Sequence, residues 1–204
     1  MAEPKRTRIQ TENRKIILNA ALEVFAREGF RGATVDEIAS AAGMSKPNLL
    51  YYFPKKDDIY RSLLEQLLEN WLGPLRTLDP DGDPMHEIAA YIERKIELAR
   101  DYPTESRLFA NEMVRGAPIL EDVLSGDLKA LVDGKVTVLK GWMNKGLIAR
   151  VDPYHLIFAV WSTTQHYADF DPQVRAVLGN DSEGRFNDAA RTLKQIFLYG
   201  LKPR

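Results

Sequence analysis

Residues 34–53 read TVDEIASAAGMSKPNLLYYF, and two helix starts are written into that stretch. Thr34 has the side chain of an N-cap and Glu37 stands three places on, the spacing of a capping box. Val35, Ile38 and Ala42 then share one apolar face of a short helix. Gly43 is the residue type that leaves a helix through the left-handed region at least cost. Ser45 offers a second N-cap, and Pro47 falls in the first turn after it, where a missing N–H costs nothing. Leu49 and Phe53, four apart, would bury against the first helix, leaving Lys46, Asn48, Tyr51 and Tyr52 facing out. Two short helices on a glycine turn, the second polar and aromatic outside, predict a helix-turn-helix built to enter a DNA major groove.

Outward from that motif the pattern stays helical. Residues 14–28 place Ile16, Ile17, Ala20, Ala21, Val24 and Phe25 at helical spacing, closed by Gly29. Lys5, Arg6, Arg8, Arg14 and Lys15 cluster ahead of the motif as a basic arm would. Downstream, residues 56–72 repeat Ile59, Leu63, Leu64, Leu67, Leu68 and Trp71 on one stripe, and Gly73-Pro74 is expected to end that linking helix. An acidic turn, DPDGDP, occupies residues 79–84. Further helices are expected over 85–102, 104–113, 120–145, 153–167 and 186–201, with Gly126 and Gly134 as the places where the helix over 120–145 would bend. No strand alternation and no internal repeat is visible. The expected fold is all-α: a helix-turn-helix DNA-binding domain with a basic arm over 1–57, and a helical ligand-binding and dimerisation domain over 58–204.

Composition sets bounds on function. The 204 residues include no cysteine, which excludes thiolate metal sites and a disulfide framework and suits the cytoplasm. No long apolar run suggests a membrane span, and the charged amino terminus is unlike a signal peptide. The net charge of −1 is uneven: residues 1–60 hold ten Lys/Arg against eight Asp/Glu, and the remainder is acidic. The three histidines, His86, His155 and His166, lack the spacing of a helical metal pair. With no GxSxG, Walker or GxGxxG sequence, neither catalysis, a cofactor nor a bound metal is expected.

The motif also suggests how DNA would be held. Lys46 and Tyr51 can reach base edges or phosphates, and the Asn48 carboxamide matches the paired groups of adenine. Lys55 and Lys56 open the linking helix, where ammonium groups and free amides both attract a phosphate, and the Thr34 cap could touch another. A palindromic duplex needs a two-fold protein, so a homodimer is expected. Val160, Thr164 and Tyr167 on one helix, and Phe186, Ala190, Leu193, Phe197 and Leu201 on the last, are the candidate stripes for a four-helix interface; the alternative is that they are the chain's own core.

Phe25, Gly29, Phe30, Thr34, Ile38, Ala39, Ala42, Gly43, Ser45, Lys46, Leu49, Tyr52, Phe53 and Lys56 resemble the signature of the TetR family of bacterial transcriptional regulators, with Leu50 where that family more often has tyrosine. The stretches NLLYYFPKK, WLGPL, RDYPTESRLF, GDLKALVD, DPYHLIFAVW and STTQHYADF are similar to the family's pyrimidine-utilisation regulators almost end to end. The resemblance implies Thr34, Ser45, Lys46, Pro47, Asn48, Tyr51, Tyr52, Lys55 and Lys56 at the DNA, with uracil or thymine as effector. A planar pyrimidine has faces for stacking and an edge of alternating N–H and carbonyl groups. Gln165 follows Trp161 by one helical turn, so amide and indole share a face, and Phe158 extends it. Trp71 would close the near side, with Phe109 and Asn111 as further wall and edge. From pattern alone, tryptophans on an apolar face are more often core. A more lipophilic effector, or DNA binding with no effector, remains the alternative.

Overall fold

The computed structural model describes residues 8–179 and 184–203. Lys5 and Arg6 of the expected basic arm lie outside the described residues. Among the described residues there is no strand. Eleven α-helices run through them in order: α1 (Arg8–Gly32), α2 (Val35–Ala41), α3 (Lys46–Tyr52), α4 (Lys56–Arg76), α5 (Pro84–Asp101), α6 (Pro103–Val114), α7 (Glu121–Val123), α8 (Lys129–Asn144), α9 (Pro153–Asp169), α10 (Asp171–Leu178) and α11 (Arg185–Gly200). None is long and apolar enough to cross a membrane.

The amino-terminal helices form for the local reasons their sequence supplies. Gly29 adopts φ 68° and ψ 171° and breaks the regular turn of α1, so the helix proper stops where glycine was expected to stop it. Thr34 accepts from the Glu37 amide while the Glu37 carboxylate takes the Thr34 amide at 2.8 Å. The Thr34 hydroxyl and amide hold the Glu37 carboxyl below its ordinary value. Gly43 sits at φ 65° between α2 and α3, and Ser45 caps α3 by accepting from the Asn48 amide. Ile17, Ala21, Phe25, Ile38, Leu49 and Phe53 fill the three-helix core. Arg14, one of the cations expected in the arm, is instead a staple. Its guanidinium donates to the Tyr52 carbonyl at 2.8 Å and lies 3.9 Å over the Phe53 ring.

Helix α4 runs past the expected stop, through Gly73 and Pro74 to Arg76. A proline in the final turn forfeits only one backbone bond there, and Leu75 and Leu78 bury beyond it. The expected helix over 120–145 is α7 and α8 joined by a π-helical turn, Leu124–Leu128. Gly126 lies in that turn, whereas Gly134 lies in regular helix. Between the expected helices over 153–167 and 186–201, Asp171-Pro172 opens a further helix, α10, with the proline in its first turn. The stripes proposed for dimer contact require correction. Val160, Thr164, Ala190, Leu193 and Leu201 are buried within this one chain, and Tyr167, Phe186 and Phe197 are half-buried against the same distal core. Periodicity marks a buried face without naming what buries it. The outward large hydrophobic groups on α9 and α11 are Tyr154, Phe158, Ile196 and Tyr199.

Candidate DNA-binding face and effector site

On α3, Lys46, Pro47, Asn48 and Tyr51 are exposed, and Tyr51 is the most open of the aromatic groups here at 71%. Tyr52, expected to face out with it, is half-buried. Its hydroxyl accepts from Asn13 Nδ2 at 2.7 Å and its ring braces Tyr51 edge-on at 5.2 Å. Lys46 is held by Asp36 of α2 at 2.7 Å, an exposed pair that a phosphate can displace at little cost. Lys55 is exposed and its amide donates to Asp58. Lys56 differs from expectation: its ammonium donates to the Phe30 and Ala33 carbonyls, both at 2.7 Å, and lies over the Phe30 ring. It ties the start of α4 to the end of α1. The Thr34 hydroxyl is likewise engaged, donating to Glu37 at 2.8 Å.

The six groups expected at an effector do not share one cavity. Phe109, Asn111 and Gln165 line a cavity of about 410 Å³ between α6 and α9, together with Arg107 and Asp169. Phe158 and Trp161 line another of about 520 Å³, walled by Leu124, Leu128 and Val132. Phe158 is 47% exposed, so it looks outward. Trp71 is buried and borders a small space of about 140 Å³ beside α1, with Asn19, Gln66 and Asn70. The Trp161 indole donates to the Tyr91 hydroxyl at 2.6 Å.

Two polar groups that sequence reading passed over lie close to these residues. Lys95 of α5 is 2% exposed, and its Nζ lies 4.4 Å from the centre of the Trp71 ring. Burial pulls its pKa down to about 7, opposed by the nearby Asp169. Asp169 is pushed up by burial in turn, and its carboxylate accepts from Ser106 Oγ at 2.5 Å. Asp169 lies four residues after Gln165 and eight after Trp161, so all three share one face of α9. The signal for Lys95 was a cation inside the apolar stripe of Ile88, Ile92, Ile96 and Ala99. A lysine whose folded pKa lies below its unfolded value makes the unfolded chain bind more protons between the two. Ligand-free stability should therefore rise as pH goes from about 7 to about 9.5, and the rise should be absent in Lys95→Met. Urea midpoints across that window check it.

Helix α4 contacts both α6 and the core under the helix-turn-helix. Tyr60 packs edge-on to Phe25 at 4.8 Å, and its hydroxyl donates to Glu112 Oε2 of α6 at 3.3 Å. Burial, and then the Glu112 charge, hold that phenol protonated. Arg61, one residue on, donates to Asp122 at 2.6 Å and to the Ile119 carbonyl at 3.3 Å. Any shift of α6 against α4 therefore reaches the aromatic cluster under the helix-turn-helix.

Two family models match the chain, one after the other: bacterial regulatory proteins of the tetR family over residues 17–63, and the YcdC-like protein C-terminal region over residues 64–204. The HTH-type transcriptional regulator RutR of Escherichia coli strain K12 is 48% identical over 202 residues, covering 98% of this chain and 95% of that protein. Among solved structures, Salmonella enterica GusR superposes with a TM-score of 0.69 at 21% identity, covering 98% of each chain. The fatty acid degradation regulator FadR from Bacillus halodurans also gives 0.69 at 21% identity, over 98% of this chain and 100% of that one. With both halves matched in sequence and the fold shared throughout, the chain belongs to the TetR family of bacterial DNA-binding transcriptional regulators.

Proposed function

We propose that the protein is a cytoplasmic repressor of pyrimidine metabolism genes that holds a palindromic operator as a homodimer and leaves it when uracil or thymine binds. Residues 1–57 form the DNA-binding part of this reading and 58–204 the sensing and dimerising part. The observation that carries it is the likeness to RutR running through both parts, sensing half included. Thr34, Ser45, Lys46, Pro47, Asn48, Tyr51 and Lys55 lie exposed around α3 and the start of α4, where a major groove and its phosphates would meet them. Tyr52 and Lys56 serve the same face by bracing it. Phe158, Ile196 and Tyr199 supply the outward apolar surface on α9 and α11 that a partner copy would cover.

In this mechanism α4 sets the spacing of two α3 helices near one duplex turn, about 34 Å. An effector between α6 and α9 moves α6, and the Tyr60–Glu112 and Arg61–Asp122 links carry the movement to α4. The effector weakens DNA binding only by its preference for the other spacing. A preference of about 3 kcal/mol gives more than a hundredfold loss of operator affinity. Gln165→Ala should keep operator affinity and lose the response to uracil, read by fluorescence anisotropy of a labelled operator with and without the base. If Gln165→Ala loses both, its role is in folding.

A second reading is favoured by the cavity walled by Leu124, Leu128, Val132, Phe158 and Trp161, which suits an apolar effector. Release of the operator by a medium-chain fatty acid, and not by uracil, would establish it instead.

A further inference from the structure

Residues 34–53, the helix-turn-helix itself, carry Asp36, Glu37 and Lys46 as their charged side chains, so the motif that meets DNA is acidic by one charge. Glu37 is committed to the Thr34 amide and hydroxyl, which leaves Asp36 and Lys46. Asp36 stands in the first turn of α2, Lys46 opens α3, and the two meet at 2.7 Å across the turn. Both side chains are open to solvent, and such a pair adds little to stability. Its position says more than its energy, because the first residues of the second helix are those that reach base edges. A lone lysine there would be drawn to any phosphate, whatever the sequence. A paired one is not. A phosphate that takes the ammonium leaves the Asp36 carboxylate bare beside it, so the exchange gains almost nothing. A base edge needs no exchange: the ammonium has three protons, Asp36 accepts one, and two remain for acceptors such as O6 and N7 of guanine.

We propose that Asp36 is a specificity-determining residue, which makes Lys46 a reader of a guanine edge and withholds it from the phosphates of unrelated duplex. Asp36 acts through Lys46 and touches no base, so its role is positioning. This rests on DNA binding by the family and not on the identity of the effector. The sequence-independent attraction then comes from cations outside the motif, among them Lys55, exposed just ahead of α4.

The test uses the full-length chain and a pair of duplexes: an operator recovered from random DNA by selection with wild-type protein, and a scrambled version of it. Anisotropy titrations at several KCl concentrations give an affinity and a salt slope for each. Asp36→Asn should bind the scrambled duplex about tenfold more tightly at low salt, with a log–log slope steeper by about 2, one phosphate from each protomer. Its operator affinity should stay nearly unchanged, so discrimination between the duplexes falls. Asp36→Glu keeps the charge and should behave as wild type. Lys46→Met should lose about tenfold or more on the operator and keep its affinity for the scrambled duplex. Adding Asp36→Asn to Lys46→Met should then leave scrambled binding unaltered. If Asp36→Asn tightens both duplexes equally, or still tightens scrambled binding without Lys46, the carboxylate is only a repelling charge and the proposal is overturned. No change on either duplex overturns it as well. Should Asp36→Asn fail to fold in a thermal melt, Lys46→Met decides alone: loss confined to the operator upholds the proposal, and equal loss on both duplexes marks a phosphate contact and overturns it.

Discussion

Tyr51→Ala should weaken operator binding by about thirtyfold or more while leaving the protein folded and its effector affinity unchanged. The side chain is exposed, so its loss empties no core. A good base-edge contact is worth about 1–3 kcal/mol, and a two-fold protein loses it twice, so about 2–6 kcal/mol is at stake. Tyr52 anchors the neighbouring ring through Asn13, which fixes the direction in which Tyr51 projects. Electrophoretic or anisotropy titration of operator and scrambled duplexes separates the possibilities. Loss on the operator alone marks base reading, and equal loss on both marks a phosphate contact. Undiminished operator binding would remove Tyr51 from the DNA face.

Phe25→Ala should cost about 3–5 kcal/mol of stability, the usual range for truncating a buried phenylalanine. Phe25 is 1% exposed and clusters with Phe30 of α1 and Tyr60 of α4, with ring centres 6.0 and 4.8 Å away. The cavity would open where α1 meets the linking helix. Operator affinity should fall as well, because α3 is held by the same core. A urea titration reports the loss as a lower midpoint at constant slope. A small change in midpoint would mean that the cluster collapses around the missing ring.

The helix-turn-helix was legible because its signals are local. Thr34, Glu37, Gly43 and Ser45 each act within four residues of themselves, and the structure uses each as a cap or turn. Legibility weakened where an outcome depended on neighbours distant in sequence. Pro74 did not end α4, because Leu75 and Leu78 found burial beyond it. The stripes of α9 and α11 were read correctly as apolar, yet they cover this chain's own core. Lys56 was placed beside a phosphate by its position at a helix start, and the Phe30 and Ala33 carbonyls claimed its protons first. Spacing put Trp161 and Gln165 on one helical face, yet the folded chain has them lining different cavities. Their continuation to Asp169 and the burial of Lys95 under Trp71 depend on how α4, α5 and α9 meet, which no helical period encodes.

The π turn between α7 and α8 has a consequence for how the chain tolerates changes in length. Such a turn holds one residue more than an α-helix needs over the same rise. Excising Gly126 would let Leu124–Leu128 tighten into ordinary helix, with the faces before and after it preserved. Excising one residue from the first turn of Lys129–Asn144 would instead swing the rest of that helix by about 100°, carrying Leu139 and Trp142 out of the distal core. Single-residue deletions along this wall should therefore be accepted at one place and ruinous a turn or two later.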